Sequence, residues 1–111
     1  MMATKKISDN SLDFVSGGNT VETSDDSKFL NSLLYHRPAQ CDRYGTWRIE
    51  YQSHDEEIRT AWASVGVAAF LNDYDLNNSY MVNGKWVSQD EARWHAMEVT
   101  GVYLTPEQWD W

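Results

Sequence analysis

The spacing of hydrophobic and polar positions changes several times along the chain, and each change marks a predicted element. Residues 29–34 place four apolar side chains on one helical face, which predicts a first helix beginning at Ser24 and ending before Pro38. Residues 46–51 then alternate and are rich in β-forming side chains, so this segment is predicted to be a strand.

A long apolar stretch in the middle of the chain predicts a buried helix. Residues 53–56 have the form of a capping box, in which Ser53 and Glu56 satisfy free backbone donors. The helix that follows is expected to be the buried centre of the domain. Its apolar stripe consists of Ile58, Ala61, Trp62, Val65, Ala68 and Ala69.

The C-terminal third of the chain contains the clearest local signals. Asn83-Gly84 lies between two β-prone runs and predicts a hairpin with a type I′ turn. Residues 88–91 form a second capping box, and the helix that it starts is expected to end at Gly101. Pro106 marks the first turn of a last short helix.

These elements predict an α+β fold in a chain of three parts. Residues 24–111 are expected to form a small single domain with a β-hairpin, a buried central helix and two or three further helices. Residues 19–23 begin a polar, acidic stretch with little to bury, and they are predicted to be a flexible linker. Residues 1–18 are predicted to be a separate, flexible N-terminal leader.

Charge and composition exclude several classes of function. The 111 residues carry a formal net charge of −8, and phosphate binding needs clustered Lys and Arg, so nucleic acid is not an expected ligand. The longest apolar run is far shorter than the ~20 residues of a spanning helix, so membrane insertion is not expected either. The single Cys41 excludes an internal disulfide and a cysteine-based zinc cluster within one chain.

The N-terminal segment carries an amphipathic pattern that ends in Gly17-Gly18. Its apolar residues fall within an arc of roughly 160° on a helix, opposite the polar ones. The arc consists of Ile7, Leu12, Phe14 and Val15. Such an arc can dock in an apolar groove of a partner. Two residues without side chains then allow the backbone to enter a narrow cleft.

This segment resembles the double-glycine leader peptides of bacterial bacteriocin-type precursors, whose usual pattern is L-S-x-x-E-L-x-x-I-x-G-G. Six positions match the pattern or replace one apolar residue by another: Ile7, Ser8, Leu12, Val15, Gly17 and Gly18. Ser11 stands where the family usually has Glu. The resemblance covers residues 1–18 and no more of the chain.

The resemblance implies a partner and a cleavage site. The partner is the papain-like peptidase domain of an ABC exporter, which would recognise the leader through Ile7, Ser8, Leu12 and Val15. Cleavage would follow Gly18, so that the cleavage site is Gly17, Gly18 and Asn19. The expected product is a secreted bacteriocin-like or signalling protein, cytoplasmic as a precursor and extracellular after processing. Its target, an extracellular protein, is not specified by the residues.

The charge of the expected product restricts its mode of action. The leader contains two lysines and two aspartates, so the part after Gly18 keeps the whole charge of −8. Membrane-active bacteriocins are typically small and cationic. A folded effector or signalling protein is therefore expected rather than a pore former.

Two other functions stay open beside export of an effector. The chain could be a precursor or scaffold substrate whose leader recruits peptide-modifying enzymes. It could also be a cytoplasmic acidic binding or inhibitor protein, in which Gly17-Gly18 is only a hinge. An enzyme is not expected, since no residues form a recognisable catalytic constellation.

The nucleophilic and metal-ligating residue types in the chain do not suggest a catalytic, metal or cofactor site. Cys41, His54 and His95 are the residue types of a cysteine nucleophile site but lack a family signature. Residues 73–77 open like a calcium loop, but Asn78 and Gly84 replace the glycine and the closing glutamate that an EF-hand needs.

The tryptophans are expected to divide into two groups. Trp47, Trp62, Trp86 and Trp94 lie in predicted helices or strands and are expected in the core. The tail that contains Trp109-Asp110-Trp111 has two interpretations, of which packing back on the domain is favoured over binding a partner.

Overall fold

A computed structural model of the chain describes residues 18–71 and 77–111. Within these residues it contains five helices and a three-stranded antiparallel sheet, which confirms the α+β fold. The helices are α1 (Gly18–Leu33), α2 (Thr46–Tyr51), α3 (Asp55–Ala63), α4 (Gln89–Thr100) and α5 (Pro106–Trp109). The strands are β1 (Ala68–Phe70), β2 (Ser79–Val82) and β3 (Lys85–Val87).

The sheet is a meander with β2 in the centre, and it contains the predicted hairpin. In the register of the sheet, Tyr80 pairs with Ala69 on one side and with Val87 on the other. Asn83 and Gly84 have φ values of 53° and 78°. Both residues of a type I′ turn need positive φ, so the predicted turn is confirmed.

The helix ends predicted in the C-terminal third are also confirmed. Ser88 and Glu91 form the reciprocal hydrogen bonds of a capping box at the start of α4. Gly101 ends that helix in the left-handed conformation, with φ of 73°. Pro106 occupies the first turn of α5.

The strand predicted at residues 46–51 is wrong, because the segment forms α2. Trp47 and Tyr51 then lie one helical turn apart on an exposed face, with their rings stacked at 5.1 Å. Ile49 packs against the core from the other face. The same residues that alternate like a strand therefore also suit a short helix. Ile49 attaches this helix to the core, and Trp47 with Tyr51 forms an aromatic pair at i,i+4 spacing.

The central helix is buried as predicted, but it is shorter and starts differently. Ile58, Ala61 and Trp62 of α3 are fully buried. The expected capping box at Ser53 does not form, since His54 occupies the cap position without a side-chain bond. Gly66 adopts φ of 80° in the turn after the helix. Residues 68–70 consequently join the sheet as β1 instead of continuing the helix.

The core is built around α1, which contacts each of the other four helices. Its C-terminal half contributes the apolar side chains Phe29, Leu30 and Leu33, and Leu34 follows directly after the helix. The Phe29 ring stacks on Trp62 at 6.0 Å and meets the edge of Trp109 at 5.8 Å. This arrangement leaves the N-terminal half of α1 between the sheet, α4 and the loop before α2.

Candidate functional site

The N-terminal half of α1 is polar and yet buried. Thr20 is 6% exposed, and Thr23, Ser24, Asp26 and Ser27 are at most 2% exposed. The predicted linker at residues 19–23 is therefore wrong, since these residues are helical. Helix α1 thus includes residues ahead of the predicted domain boundary at Ser24.

The sequence did contain a signal for this buried polar helix. Thr20, Thr23, Ser24 and Ser27 recur at the i, i+3, i+4, i+7 spacing of one helical face. The same stripe continues into the apolar residues of the C-terminal half. Small hydroxyl side chains can be buried when they find hydrogen-bond partners, so a stripe of Ser and Thr is compatible with an interior face.

One side of this helix is bonded to the loop that precedes α2. The Ser24 hydroxyl donates to the backbone oxygen of Tyr44 at 2.7 Å. The Tyr44 backbone N–H donates to the Ser27 hydroxyl at 2.9 Å. The Cys41 thiol points at the backbone oxygen of Ser27 at 3.7 Å. The loop is thus held to α1 by hydroxyl bonds that an apolar helix could not make.

The other side of the helix presents Asp26, a fully buried carboxylate, to β2 and α4. The Tyr80 hydroxyl donates to Asp26 Oδ2 at 2.6 Å. The Gln89 side-chain amide donates to Asp26 Oδ1 at 2.8 Å. Both donors are neutral. The salt bridges found among the described residues, Lys28–Asp110 and Arg93–Asp90, do not include Asp26.

Asn78 and Glu22 extend the network towards the start of the helix. The Asn78 side-chain amide donates to the Thr23 hydroxyl at 2.8 Å, and its backbone N–H donates to Glu22 Oε1 at 2.7 Å. The Gln89 side-chain amide also reaches the backbone oxygen of Glu22 at 3.2 Å. These bonds connect α1 to β2, to the residue directly before β2, and to α4. The α1 residues that make them are Glu22, Thr23 and Asp26.

Burial makes the carboxylates of this network weak acids. It raises the pKa of Asp26 to about 7, although the hydrogen bonds from Tyr80 and Gln89 and the charge of Arg93 act in the opposite direction. Burial also raises the pKa of Asp25 to about 6, and the neighbouring charge of Asp110 adds to that effect. The pKa of Glu22 is raised for the same reason, mainly by burial.

The structure places only part of the predicted cleavage site. Gly18 and Asn19 are the first two residues of α1. The recognition residues Ile7, Ser8, Leu12 and Val15, together with Gly17, lie outside the described residues. The expectation of a flexible stretch after the bond is wrong, since the chain is helical from Gly18 onwards.

The candidate nucleophile Cys41 has the properties of a buried structural thiol. It is 1% exposed, and burial raises its pKa to about 12, so little thiolate forms near neutral pH. His54 stacks on the Tyr44 ring at 3.7 Å, and the His95 ring packs against Gly66. Among the described residues, His, Cys, Asp and Glu side chains do not gather into a group of three that could hold a metal. Residues 73–76 of the calcium-like loop lie outside the described part.

The tail with Trp109-Asp110-Trp111 packs back on the domain. Trp109 is buried, and the Arg43 side chain donates to the backbone oxygens of Trp109 and Trp111. The Arg43 guanidinium lies 3.4 Å from the centre of the Trp111 ring, which itself is largely exposed. The favoured interpretation of the tail agrees with this packing.

The expected burial of four tryptophans is right only for Trp62. Trp47, Trp86 and Trp94 are 68%, 65% and 54% exposed. Each pairs with another exposed aromatic ring, as Trp86 does with Phe70 at 5.5 Å. Pairing on the surface covers part of each ring.

Comparison with family models, with curated proteins and with solved structures found no match to this chain. In the part of the chain that the structure describes, no helix is both long enough and apolar enough to cross a membrane. Function is therefore inferred from the residues and the geometry given above.

Two truncations test where the domain begins. A chain that starts at Asn19 keeps the buried face of α1, so we expect it to unfold within about a degree of the full chain. A chain that starts at Ser24 loses the contacts of Glu22 and Thr23, at least three hydrogen bonds in total. At about 1 kcal/mol each, their loss lowers the midpoint temperature by on the order of 10 °C. Thermal unfolding of both chains by circular dichroism measures the difference, and equal midpoints would contradict the role of Glu22 and the buried Thr23 in stabilising the domain.

Proposed function

We propose that the chain is the precursor of an exported bacteriocin-like or signalling protein, with a double-glycine leader that is removed after Gly18. The observation that carries this proposal is the leader pattern of residues 7–18, which agrees with the family at Ile7, Ser8, Leu12, Val15, Gly17 and Gly18. The pattern ends shortly before Thr20, which belongs to the buried face of α1.

The helical start of the product places a condition on cleavage. A peptidase that takes an extended substrate must unwind the residues next to the Gly18–Asn19 bond. Unwinding Gly18 and Asn19 leaves the bonds of Thr23 and Asp26, which lie further along α1, in place. The network can therefore stay intact while the bond is cut.

The charge and packing of the domain favour a folded effector over a pore former. The product keeps a net charge of −8, which opposes attraction to anionic membranes. Helix α1 is fixed by hydrogen bonds to Tyr44, Asn78, Tyr80 and Gln89. Insertion into a bilayer would require breaking this network. The partners of this function are the peptidase domain of the exporter and an extracellular protein target.

Co-expression with a peptidase-containing ABC exporter from the same organism tests the proposal. We expect the medium to contain a product that begins at Asn19, and we expect it to be missing when the catalytic cysteine of the exporter is replaced. A full-length chain with added mass inside the cell would instead support a substrate of modifying enzymes. A full-length chain without added mass, retained in the cell beside an active exporter, would support the acidic binding protein.

A further inference from the structure

Asp26 is a buried carboxylate, and in the part of the chain that the structure describes it forms no salt bridge with a cation. It is 0% exposed, and its oxygens receive hydrogen bonds from the neutral groups of Tyr80 and Gln89. An ionised group in such a place loses its hydration, and two neutral donors replace it only in part. The protonated acid keeps both neighbours in hydrogen-bond distance without that loss.

The charged groups around Asp26 reduce this penalty but do not remove it. The positive charge of Arg93 on α4 lowers the pKa of Asp26. The Arg93 guanidinium, however, pairs with Asp90 at 2.9 Å and lies over the Trp109 ring at 4.7 Å. Asp25 and Glu22 on α1 are themselves partly buried acids, and Asp110 faces Asp25.

Two further titratable groups among the described residues have pKa values that the charge of Asp26 raises. The phenol of Tyr80 on β2 has its pKa raised, first by burial and then by Asp26. Cys41, in the loop before α2, has its pKa raised mainly by burial and by Glu57, with a smaller contribution from Asp26. Neither group supplies a positive charge that could pair with the carboxylate.

We propose that Asp26, supported by Glu22, forms a proton-dependent latch that holds residues 20–27 of α1 against β2 and α4 in mildly acidic solution and loosens them in mildly alkaline solution. The latch joins three elements through one buried side chain. It concerns the described domain alone, and it holds whether or not the leader is cleaved.

The direction of the effect follows from proton binding in the two states. The pKa of Asp26 is raised from 3.8 to about 7 by burial. Between these two values the folded chain binds a proton that the unfolded chain has released, so the free energy of unfolding falls as the pH rises through this window. From Asp26 alone, the equilibrium constant for unfolding should increase on the order of 100-fold between pH 5 and pH 8. Asp25 and Glu22 act in the same direction.

Denaturant unfolding of the full chain at pH 5, 6, 7 and 8 tests the latch. We expect stability to fall steadily over this range, and we expect most of that dependence to disappear in Asp26→Asn. The matched control is Glu98→Gln, which removes an exposed carboxylate from α4 and should keep the dependence of the parent. Tyr80→Phe removes a bond that lowers the pKa of Asp26, so it should make the dependence steeper.

Hydrogen exchange on the unmodified chain provides a measurement that does not depend on any variant folding. After correction for intrinsic exchange rates, amides of residues 20–27 should lose more protection between pH 5 and pH 8 than amides of α3. The proposal is overturned if stability is constant or rises with pH, if Asp26→Asn retains the full dependence, or if protection in α1 changes no more than in α3.

Discussion

Replacing Trp62 by alanine is expected to destabilise the domain by about 3–5 kcal/mol, which is a large part of the total stability of a domain of this size. Trp62 is fully buried and touches both Phe29 and Tyr80. Its removal leaves a cavity between α1, α3 and the sheet. It also removes the ring that packs against Tyr80, a member of the polar network. The cost includes lost burial and lost contacts, because the surrounding helices cannot close the gap completely.

Trp47→Ala is the matched control, since it deletes the same side chain from an exposed site. We expect its effect to be within about 0.5 kcal/mol of zero. Denaturant unfolding of both variants measures the contrast. Similar losses in the two variants would mean that Trp62 does not have the central position described here.

Changes in the leader are expected to abolish processing without unfolding the domain. Gly17→Val or Gly18→Val adds bulk at the entrance to the peptidase cleft, so cleavage should stop. Leu12→Asp should also impair cleavage, although it lies six residues before the bond, because a charge would have to enter the apolar groove. The rates are measured by intact mass with a purified peptidase domain.

Two further leader variants serve as controls for the docking argument. Asn10→Asp places a charge on the polar side of the amphipathic arc, and it should be cleaved at the rate of the parent. Ser11→Glu introduces the residue that the family usually has at this position, so cleavage should be unchanged or faster. If Leu12→Asp were cleaved as fast as Asn10→Asp, the apolar arc would have no role, and the resemblance to a leader would be accidental.

The parts of the fold that were predicted correctly depend on local chemistry. Asn83-Gly84 and Gly101 adopt positive φ, which few other residues do readily, and Ser88 with Glu91 closes its capping box within one turn. Such features need no knowledge of distant neighbours. They are therefore readable from a few consecutive residues.

The parts that were predicted wrongly depend on distant partners. Residues 46–51 fit a strand or a short helix, and the helix is the form that packs Ile49 on the core and contacts α1. One face of residues 20–27 is polar and yet buried, because partners from Tyr44 to Gln89 satisfy its hydroxyl and carboxylate groups. Polar composition alone predicts an exposed stretch, whereas the spacing of Thr20, Thr23, Ser24 and Ser27 predicts one face of a helix.

The candidate sites were predictable to the same extent, since a local pattern can be read from the sequence and contacts between distant residues cannot. The leader motif is a local pattern, so its residues could be named from sequence, together with the bond between Gly18 and Asn19. The network around Asp26 could not be predicted from sequence, because its partners lie far away along the chain. Tyr80 is 54 residues from Asp26, and Gln89 is 63 residues from it. The helical conformation of Gly18 and Asn19 at that bond likewise emerges only from the structure.

The most direct test of the central claim is the identity of the new N-terminus after cleavage. The full chain is incubated with the peptidase domain of its exporter, and the product is analysed by intact mass and N-terminal sequencing. Removal of 18 of the 111 residues should yield one product of 93 residues that begins at Asn19 and remains folded. Cleavage at another bond, or an uncleaved chain beside a peptidase that processes its other substrates, would contradict the proposal.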